Sequence, residues 1–302
     1  MRTSFLLPVL LAPLLLTGCS PTAEAEPAAS SASPTASTVP STDGALADLE
    51  ERFSGRVGVY AVDTGTGEEV QYRADERFGY ASTHKVFSAA AVLAQSEPAD
   101  LEQRIHYSPE DLVANSPIAE QHVETGMTLE QIIGAAISHS DNTAGNLLFD
   151  ALDGPEGLQA ALAGSGDEIT SVDREEPELN EWAPGETRDT TTPRQAAENL
   201  RGYALGDALE PWEQDKLLTA MRASENSEGL IRAAVPEGAS WTVANKSGAG
   251  LGHGTRNDLA VIERAEGAPL VVAVYTNLDD PEGTFQDEFV AEAATVAVEE
   301  LT

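Results

Sequence analysis

Residues 241–276 read WTVANKSGAGLGHGTRNDLAVIERAEGAPLVVAVYT. Three runs rich in β-branched and other apolar residues alternate here with glycine-rich or charged segments that are typical of turns. The pattern predicts three successive strands, over Trp241–Lys246, Asp258–Arg264 and Leu270–Thr276. These strands form the larger part of a predicted sheet.

Two further strands are predicted near the other end of the chain. The β-rich runs Arg56–Val62 and Glu69–Arg73 are joined by Thr64-Gly65-Thr66-Gly67, a turn sequence that is typical of a hairpin. An amphipathic pattern predicts a helix over Ala45–Arg52 before the hairpin, and another pattern predicts a closing helix over Glu282–Glu299.

The middle of the chain, from Thr83 to about Arg222, is predominantly helical in pattern and is interrupted by proline and glycine. Strands from both ends of the chain around a helical insert favour an α/β (α+β) fold class. We expect an antiparallel five-stranded sheet flanked by helices, built from about 45–80 and 223–302, and an all-helical domain over about 81–222.

The first residues are typical of a targeting segment. The apolar run from Phe5 to Leu16 is too short to cross a membrane, and residues 1–19 are interpreted as a lipoprotein signal peptide. It ends in Leu16-Thr17-Gly18-Cys19, which resembles a bacterial lipobox, so Cys19 is the predicted lipidation site. The alternative is an ordinary secretory signal with an incidental cysteine. Residues 20–44 are rich in Ala, Pro, Ser and Thr and predict a disordered linker.

The charge of the chain excludes several classes of partner. Lys and Arg total 17 against 51 Asp and Glu, which gives a formal net charge of −34 and argues against nucleic acid as a partner. The single cysteine excludes an intrachain disulfide, and the five scattered histidines show no paired spacing, so we expect no metal and no cofactor. Acid-rich, lysine-poor composition also favours a saline environment, because such a surface repels itself at low ionic strength.

Lysine is so rare that each one needs an explanation, and one of the three lies in Ser82-Thr83-His84-Lys85. Three residues apart on a helix, Ser82 and Lys85 share one face. An amine beside a hydroxyl can activate it as a nucleophile, and the helix N-terminus offers N–H groups to an oxyanion. The alternative is a helix start with a solvated lysine.

Two polar motifs follow in the middle of the chain. Ser140-Asp141-Asn142 precedes a predicted helix and has the composition of an N-cap. Glu176 and Asn180 lie in an irregular stretch over 164–193, and their spacing of four lets them hold one water between carboxylate and amide. A surface loop rich in acidic residues is the alternative.

Lys246-Ser247-Gly248-Ala249-Gly250 follows a predicted strand, and Arg256 comes ten residues after its lysine. A lysine at a strand end beside glycines, which permit close backbone approach, suits the binding of an anionic substrate. Each motif alone has an ordinary structural explanation, but the four in this order leave little room for chance.

With these motifs, the chain from about Ala45 to Thr302 resembles the class A serine β-lactamases, whose motif set is a serine–lysine pair, SDN, a glutamate–asparagine element and a lysine–glycine strand. The resemblance implies an antiparallel sheet packed by helices, a separate helical domain, and an active site in the cleft between them. The expected partner is a β-lactam small molecule. We expect the enzyme to be an exported monomer that contacts the membrane only through its lipid anchor.

The resemblance also implies catalytic roles. Ser82 is the expected nucleophile that opens the β-lactam ring to an acyl-enzyme, and Ser140 the expected proton donor to the departing nitrogen. Glu176, aided by Asn180, is expected to activate the water that hydrolyses the acyl-enzyme. Either Lys85 or Glu176 is the base for acylation, and the resemblance leaves this choice open.

Substrate-binding roles follow in the same way. Asn142 is expected to bind the amide of the substrate side chain, and Lys246 and Ser247 its carboxylate, with help from Arg256. The backbone N–H groups of the nucleophile and of Ala249 are expected to form the oxyanion hole.

Four further positions can be compared with the family pattern, of which two match it and two depart from it. Arg174 and Asp189 resemble the pair that closes the Ω-loop of the family. Asn115 occupies a position that is usually aromatic at the cleft edge, and His84 is an uncommon residue inside the serine–lysine motif, where we expect it to serve packing.

Two other functions share part of this motif set. A D,D-peptidase or penicillin-binding protein has the Ser/Lys and Lys/Gly elements, but the pairing of Glu176 with Asn180 favours rapid deacylation instead. A non-hydrolytic β-lactam-sensing lipoprotein requires an acyl-enzyme that is not released.

Overall fold

The computed structural model describes residues 41–225 and 227–302. The predicted signal peptide over 1–19, with lipidation at Cys19, lies outside the described residues, as does the linker up to residue 40. None of the helices in the described part is both long and apolar enough to cross a bilayer.

Five long or medium strands form the central sheet, and short strand pairs lie outside it. The strands are β1 (Gly55–Asp63), β2 (Glu69–Tyr72), β3 (Phe78–Gly79), β4 (Arg104–Ile105), β5 (Met127–Thr128), β6 (Thr190–Thr191), β7 (Thr242–Ala249), β8 (Arg256–Glu263) and β9 (Leu270–Leu278). The sheet has the order β2-β1-β9-β8-β7, and every neighbouring pair is antiparallel. The predicted five-stranded antiparallel sheet is therefore confirmed.

The helices divide between the two ends of the chain and its middle. They are α1 (Thr42–Phe53), α2 (His84–Leu93), α3 (Leu129–Ser138), α4 (Asn142–Asp150), α5 (Pro155–Gly164), α6 (Pro193–Leu205), α7 (Pro211–Arg222) and α8 (Asp287–Glu300). Short 3₁₀ turns include Ala81–Thr83, directly before α2, and Glu178–Asn180, within the irregular stretch between α5 and α6.

The side chains of each strand alternate between the two faces of the sheet, and both faces are buried. On one face Val59 and Val272 join a core with α1 and α8, which contribute Leu46 and Phe289. On the other face, neighbouring residues such as Tyr60 join the larger core of the helical middle. Since successive strand residues point to opposite faces, both faces need apolar cover, and the terminal helices and the helical middle supply it.

Several element ends differ from the predicted ones. The helix α1 begins at Thr42, before the predicted Ala45, because Ser41 caps it by accepting a hydrogen bond from the backbone N–H of Gly44. The strand β7 continues past the predicted end at Lys246 to Ala249, since pairing with β8 holds polar residues in extended backbone. The last helix begins only at Asp287.

Candidate active site

The turn before α2 places Ser82 beside Lys85. Lys85 Nζ donates a hydrogen bond to Ser82 Oγ over 2.9 Å, as expected for side chains one helical turn apart. The lysine is fully buried rather than solvated. Its ammonium group also contacts Asn142 Oδ1 at 2.6 Å, Ser140 O at 3.1 Å and Glu176 Oε1 at 2.8 Å. The four contacts hold the amine in one position next to the hydroxyl.

The junction between α3 and α4 supplies two of those contacts. Asp141 is the N-cap of α4, and its carboxylate accepts backbone N–H bonds from Ala144 at 2.8 Å and from Ile118 and Ala119. The N-cap function predicted for this motif thus belongs to its middle residue. The flanking residues Ser140 and Asn142 are left to face the cleft.

Glu176 reaches the site from the irregular stretch between α5 and α6. Asn146 of α4 holds its backbone at both ends, accepting from Glu176 N at 2.9 Å and donating to Glu176 O at 2.9 Å. Its Oε1 lies 3.3 Å from Ser82 Oγ, and its Oε2 accepts a hydrogen bond from Asn180 Nδ2. The carboxylate is therefore placed between the predicted nucleophile and the predicted water-binding amide.

The charge on Glu176 is stabilised within a buried environment. Burial by itself raises the pKa of this carboxyl, but the charge of Lys85 and hydrogen bonds from His84 and Lys85 outweigh burial. The pKa of Glu176 therefore lies well below its usual range, and the group is an anion at neutral pH.

The irregular stretch is closed at its base by the expected pair. Arg174 Nε lies 2.5 Å from Asp189 Oδ2, and Asp189 Oδ1 accepts hydrogen bonds from the backbone N–H groups of Asp173 and Arg174 at 2.9 and 3.0 Å. The hydroxyl of Tyr80 donates to the same oxygen at 3.0 Å. Asp189 thus ties the start and end of the stretch to the residues that precede Ser82.

The strand β7 forms the wall opposite α2. Lys246 Nζ donates to Ser140 Oγ at 2.9 Å and to Ser247 O at 2.6 Å, and its side chain is buried. Burial lowers the pKa of Lys246 well below its usual range, and the charge of Lys85 adds to this effect. A Cβ atom at Gly248 would lie 2.9 Å from Tyr80 O, so only glycine lets the strand approach the turn that carries the predicted nucleophile.

Arg256 begins β8 directly opposite Ala249 of β7. Its Nε lies 2.7 Å from Asp287 Oδ1, and its guanidinium lies 4.8 Å from the centre of the Phe285 ring. The side chain is largely buried yet reaches the cleft, so a positive group is fixed near the end of β7.

These elements enclose a cleft of about 630 Å³. Its walls include seven of the predicted site residues: Ser82, Ser140, Asn142, Asn180, Ser247, Ala249 and Arg256. Lys85, Glu176 and Lys246 lie behind this surface and contact the cleft residues. Asn115 lines the cleft, is exposed and has a left-handed backbone conformation (φ 63°). An amide therefore lies at the cleft edge, where the family pattern leads us to expect an aromatic ring.

Comparison with known proteins agrees with this geometry. A sequence model described as the β-lactamase enzyme family matches residues 42–301. A β-lactamase of Amycolatopsis lactamdurans is 48% identical over 262 residues, which cover 87% of this chain and 86% of that relative. The chain belongs to this family.

Solved structures refine the assignment to class A. A class A β-lactamase from Clostridium kluyveri DSM 555 has a TM-score of 0.83 at 41% identity, covering 86% of this chain and 98% of that chain. A halotolerant bacterial β-lactamase has a TM-score of 0.82 at 45% identity, covering 85% and 98%. The resemblance to class A serine β-lactamases is therefore confirmed.

Three residues of this class A β-lactamase that bear on the site were not identified as site residues from the sequence. Gly145 leaves room for the Lys85 side chain, Asn146 holds the backbone of Glu176, and the imidazole of His84 lies 3.5 Å from Glu176 Oε1. The first two belong to α4, directly after the SDN motif. Their proximity to that motif is the one sequence signal that could have drawn attention to them.

Proposed function

We propose that this β-lactamase opens the β-lactam ring with Ser82 Oγ and releases the product with a water activated by Glu176. The observation that carries the proposal is the continuous network from Ser82 through Lys85 to Glu176 and Asn180. The network joins a hydroxyl, an amine, an ionised carboxylate and an amide, which together can activate a nucleophile and a water.

In the first step Ser82 Oγ bonds to the lactam carbonyl carbon, and its proton passes into the Lys85–Glu176 pair. Both groups are within reach, since Lys85 Nζ is 2.9 Å and Glu176 Oε1 is 3.3 Å from Oγ. The ionised carboxylate of Glu176 can accept the proton directly, whereas Lys85 can accept it only as a neutral amine. Backbone N–H groups of Ser82 and Ala249 bind the developing oxyanion. The C–N bond then breaks, and Ser140 relays to the ring nitrogen the proton that Ser82 released, so that Glu176 is ionised again before the second step.

In the second step Glu176 takes a proton from a water that attacks the ester, and Ser82 regains its hydroxyl. Asn180 Oδ1 has no hydrogen-bond donor in the described part of the chain, so it is free to accept from this water. The pairing of Glu176 with Asn180 favours a hydrolase over a D,D-peptidase or a sensor that retains the acyl group.

Binding of the anionic substrate rests on the two cations at β7 and β8. Lys246 and Ser247 bind the substrate carboxylate, Arg256 strengthens the local positive field, and Asn142 binds the side-chain amide. A local cluster of cations is needed because the protein as a whole carries a charge of −34.

Hydrolysis of benzylpenicillin and of a chromogenic cephalosporin tests this function, with the intact mass recorded through the reaction. We expect repeated turnover by the parent protein and loss of activity in Ser82→Ala. A single stoichiometric adduct that persists in the parent protein would instead support a penicillin-binding or sensing role.

The protein is further proposed to be exported, lipidated at Cys19 and monomeric. The support for export and lipidation is the lipobox resemblance at the sole cysteine. Metabolic labelling with a radiolabelled fatty acid, lost in Cys19→Ala, tests the anchor. Sedimentation of the released protein tests whether it is a monomer.

We also propose that the protein works in saline surroundings. The support is its net charge and its similarity to a halotolerant β-lactamase.

A further inference from the structure

His84 lies between the nucleophile and the lysine in the chain, and its ring is buried beneath the site. The imidazole stacks on Phe149 with the ring centres 4.9 Å apart and an interplanar angle of 4°, and it lies 5.7 Å from the Tyr80 ring. The packing role expected for this residue is therefore present. Its two nitrogens, however, both face polar atoms.

The surroundings of the ring determine which nitrogen carries the proton. Nε2 lies 3.5 Å from Glu176 Oε1, and Nδ1 lies 3.1 Å from Ser88 Oγ. An ionised carboxylate can only accept hydrogen bonds, so Nε2 must carry the hydrogen. With Nε2 protonated, Nδ1 is an acceptor for the Ser88 hydroxyl, whose single hydrogen is shared with the backbone carbonyl of His84 at 3.3 Å.

We propose that His84 is a positioning residue for deacylation, whose Nε2–H holds Oε1 of Glu176 in the orientation that the hydrolytic water requires. The inference rests on the proposed role of Glu176. Phenylalanine would serve equally well for stacking alone, whereas this contact requires a donor on the ring.

Loss of the His84 hydrogen bond should slow only the second step of the reaction, the hydrolysis of the acyl-enzyme. In the free enzyme the carboxylate oxygen Oε1 faces Ser82 Oγ, Lys85 Nζ and His84 Nε2. Once Ser82 is acylated, its oxygen has no proton to donate. Of the three groups that face Oε1 among the described residues, only Lys85 and His84 then still hold it. The contact with His84 therefore carries more weight in the acyl-enzyme than in the free enzyme.

The electrostatic surroundings keep the ring neutral. The charged groups that act electrostatically on it are Glu176, Lys85 and Lys246. Burial lowers the pKa of His84, and the two lysines add to this effect while Glu176 opposes it. A neutral imidazole donor adds no further positive charge beside the two buried ammonium groups.

Three variants separate donation from packing. Phe keeps the stacked ring without a donor, Gln places an amide near the Nε2 position, and Asn places one near Nδ1. In His84→Phe we expect deacylation to fall about tenfold with acylation within about twofold of the parent, since hydrogen bonds to charged groups are the stronger ones. His84→Gln should recover most of the loss and His84→Asn should not.

The readouts are single-turnover rates of acylation and deacylation for benzylpenicillin, followed by intact mass, and the pH profile of kcat. Loss of the donor should move the acid limb of kcat in His84→Phe to higher pH, because the ionised form of Glu176 loses one partner. Unchanged deacylation in His84→Phe would overturn the proposal. Equal losses in all three variants with no shift of the acid limb would also overturn it.

Failure of the proposed function and failure of the role of His84 give different results. If the parent forms no acyl-enzyme on Ser82, the proposed function is wrong. If the parent turns over through Ser82 but the Phe variant matches it in both rates, only the role of His84 is wrong.

Discussion

Gly145 faces Lys85 so closely that a Cβ atom at position 145 would lie 2.7 Å from Lys85 Cε. The lysine has no free space to retreat into, because its side chain is fully buried and its ammonium group contacts four oxygen atoms within 3.1 Å. The position of the Lys85 amine, the proposed activator of Ser82, thus depends on the absence of a side chain at position 145 of the neighbouring helix.

Replacing Gly145 with alanine should therefore displace Lys85 from Ser82 and Glu176. We expect Gly145→Ala to lower kcat/KM for benzylpenicillin at least tenfold, since small misplacements of catalytic groups have large kinetic effects. The matched control is Gly134→Ala in α3, where an added Cβ meets nothing within 4 Å. The control should keep full activity and gain about 0.5–1 kcal/mol of stability. Full activity in Gly145→Ala would show that Lys85 has more freedom than the structure gives it.

The sheet was predictable because its strands carry strong local signals. Apolar runs bounded by turns gave all five strands, yet β7 was predicted to stop at Lys246 although it extends to Ala249. Its last residues are polar or small and look like a turn, and only pairing with β8 keeps them extended. Tertiary contacts override local preference at this strand end.

The candidate site was predictable only as far as its motifs extend. Ser82 and Lys85 lie one turn apart in any helix, so their contact follows from the sequence. The contacts of Gly145 and Asn146 with distant segments do not, because a glycine or asparagine within a helix has no sequence pattern that marks such a contact. The same holds for His84, whose hydrogen-bonding neighbour Glu176 belongs to a distant part of the chain.

The buried ammonium group of Lys246 predicts an alkaline limb in the activity profile. Its pKa is lowered, so as pH rises this group loses its proton earlier than an ordinary lysine, whose pKa is about 10.4. The substrate carboxylate then loses its partner. As pH rises, we expect kcat/KM to begin to fall before about pH 10.4 is reached. In Lys246→Arg this alkaline limb should move to higher pH, because guanidinium stays protonated. A limb that is the same in both proteins would assign the titration to another group.

The carboxylate of Asp189 should be essential for the stretch that carries Glu176. The carboxylate of Asp189 accepts hydrogen bonds from Tyr80, Asp173 and Arg174. In Asp189→Asn an NH₂ group replaces one of the two accepting oxygens. We expect a loss of about 2–4 kcal/mol in the free energy of unfolding, measured in urea, together with slower deacylation. The control is Arg188→Gln in the same stretch, since Arg188 pairs with Glu186 at the surface and should contribute little. Equal effects of both substitutions would contradict the role of Asp189.

The surface charge predicts that salt stabilises the fold. With a net charge of −34, self-repulsion is strong at about 0.01 M salt, where the screening length is about 30 Å, and weak at about 1 M, where it is about 3 Å. The melting temperature should rise by several degrees over this range. A melting temperature that stays constant or falls would show that repulsion among the acidic side chains does not destabilise the folded state.

The most direct test of the central claim, that Glu176 activates the water that frees Ser82, is the intact mass of Glu176→Ala after addition of benzylpenicillin. The carboxylate contacts Ser82, Lys85 and Asn180, so its removal should spare ring opening more than hydrolysis of the ester. We predict a persistent adduct of one substrate mass on Ser82, while the parent returns to its unmodified mass within the same time. Release of product by the variant at the rate of the parent would contradict the account.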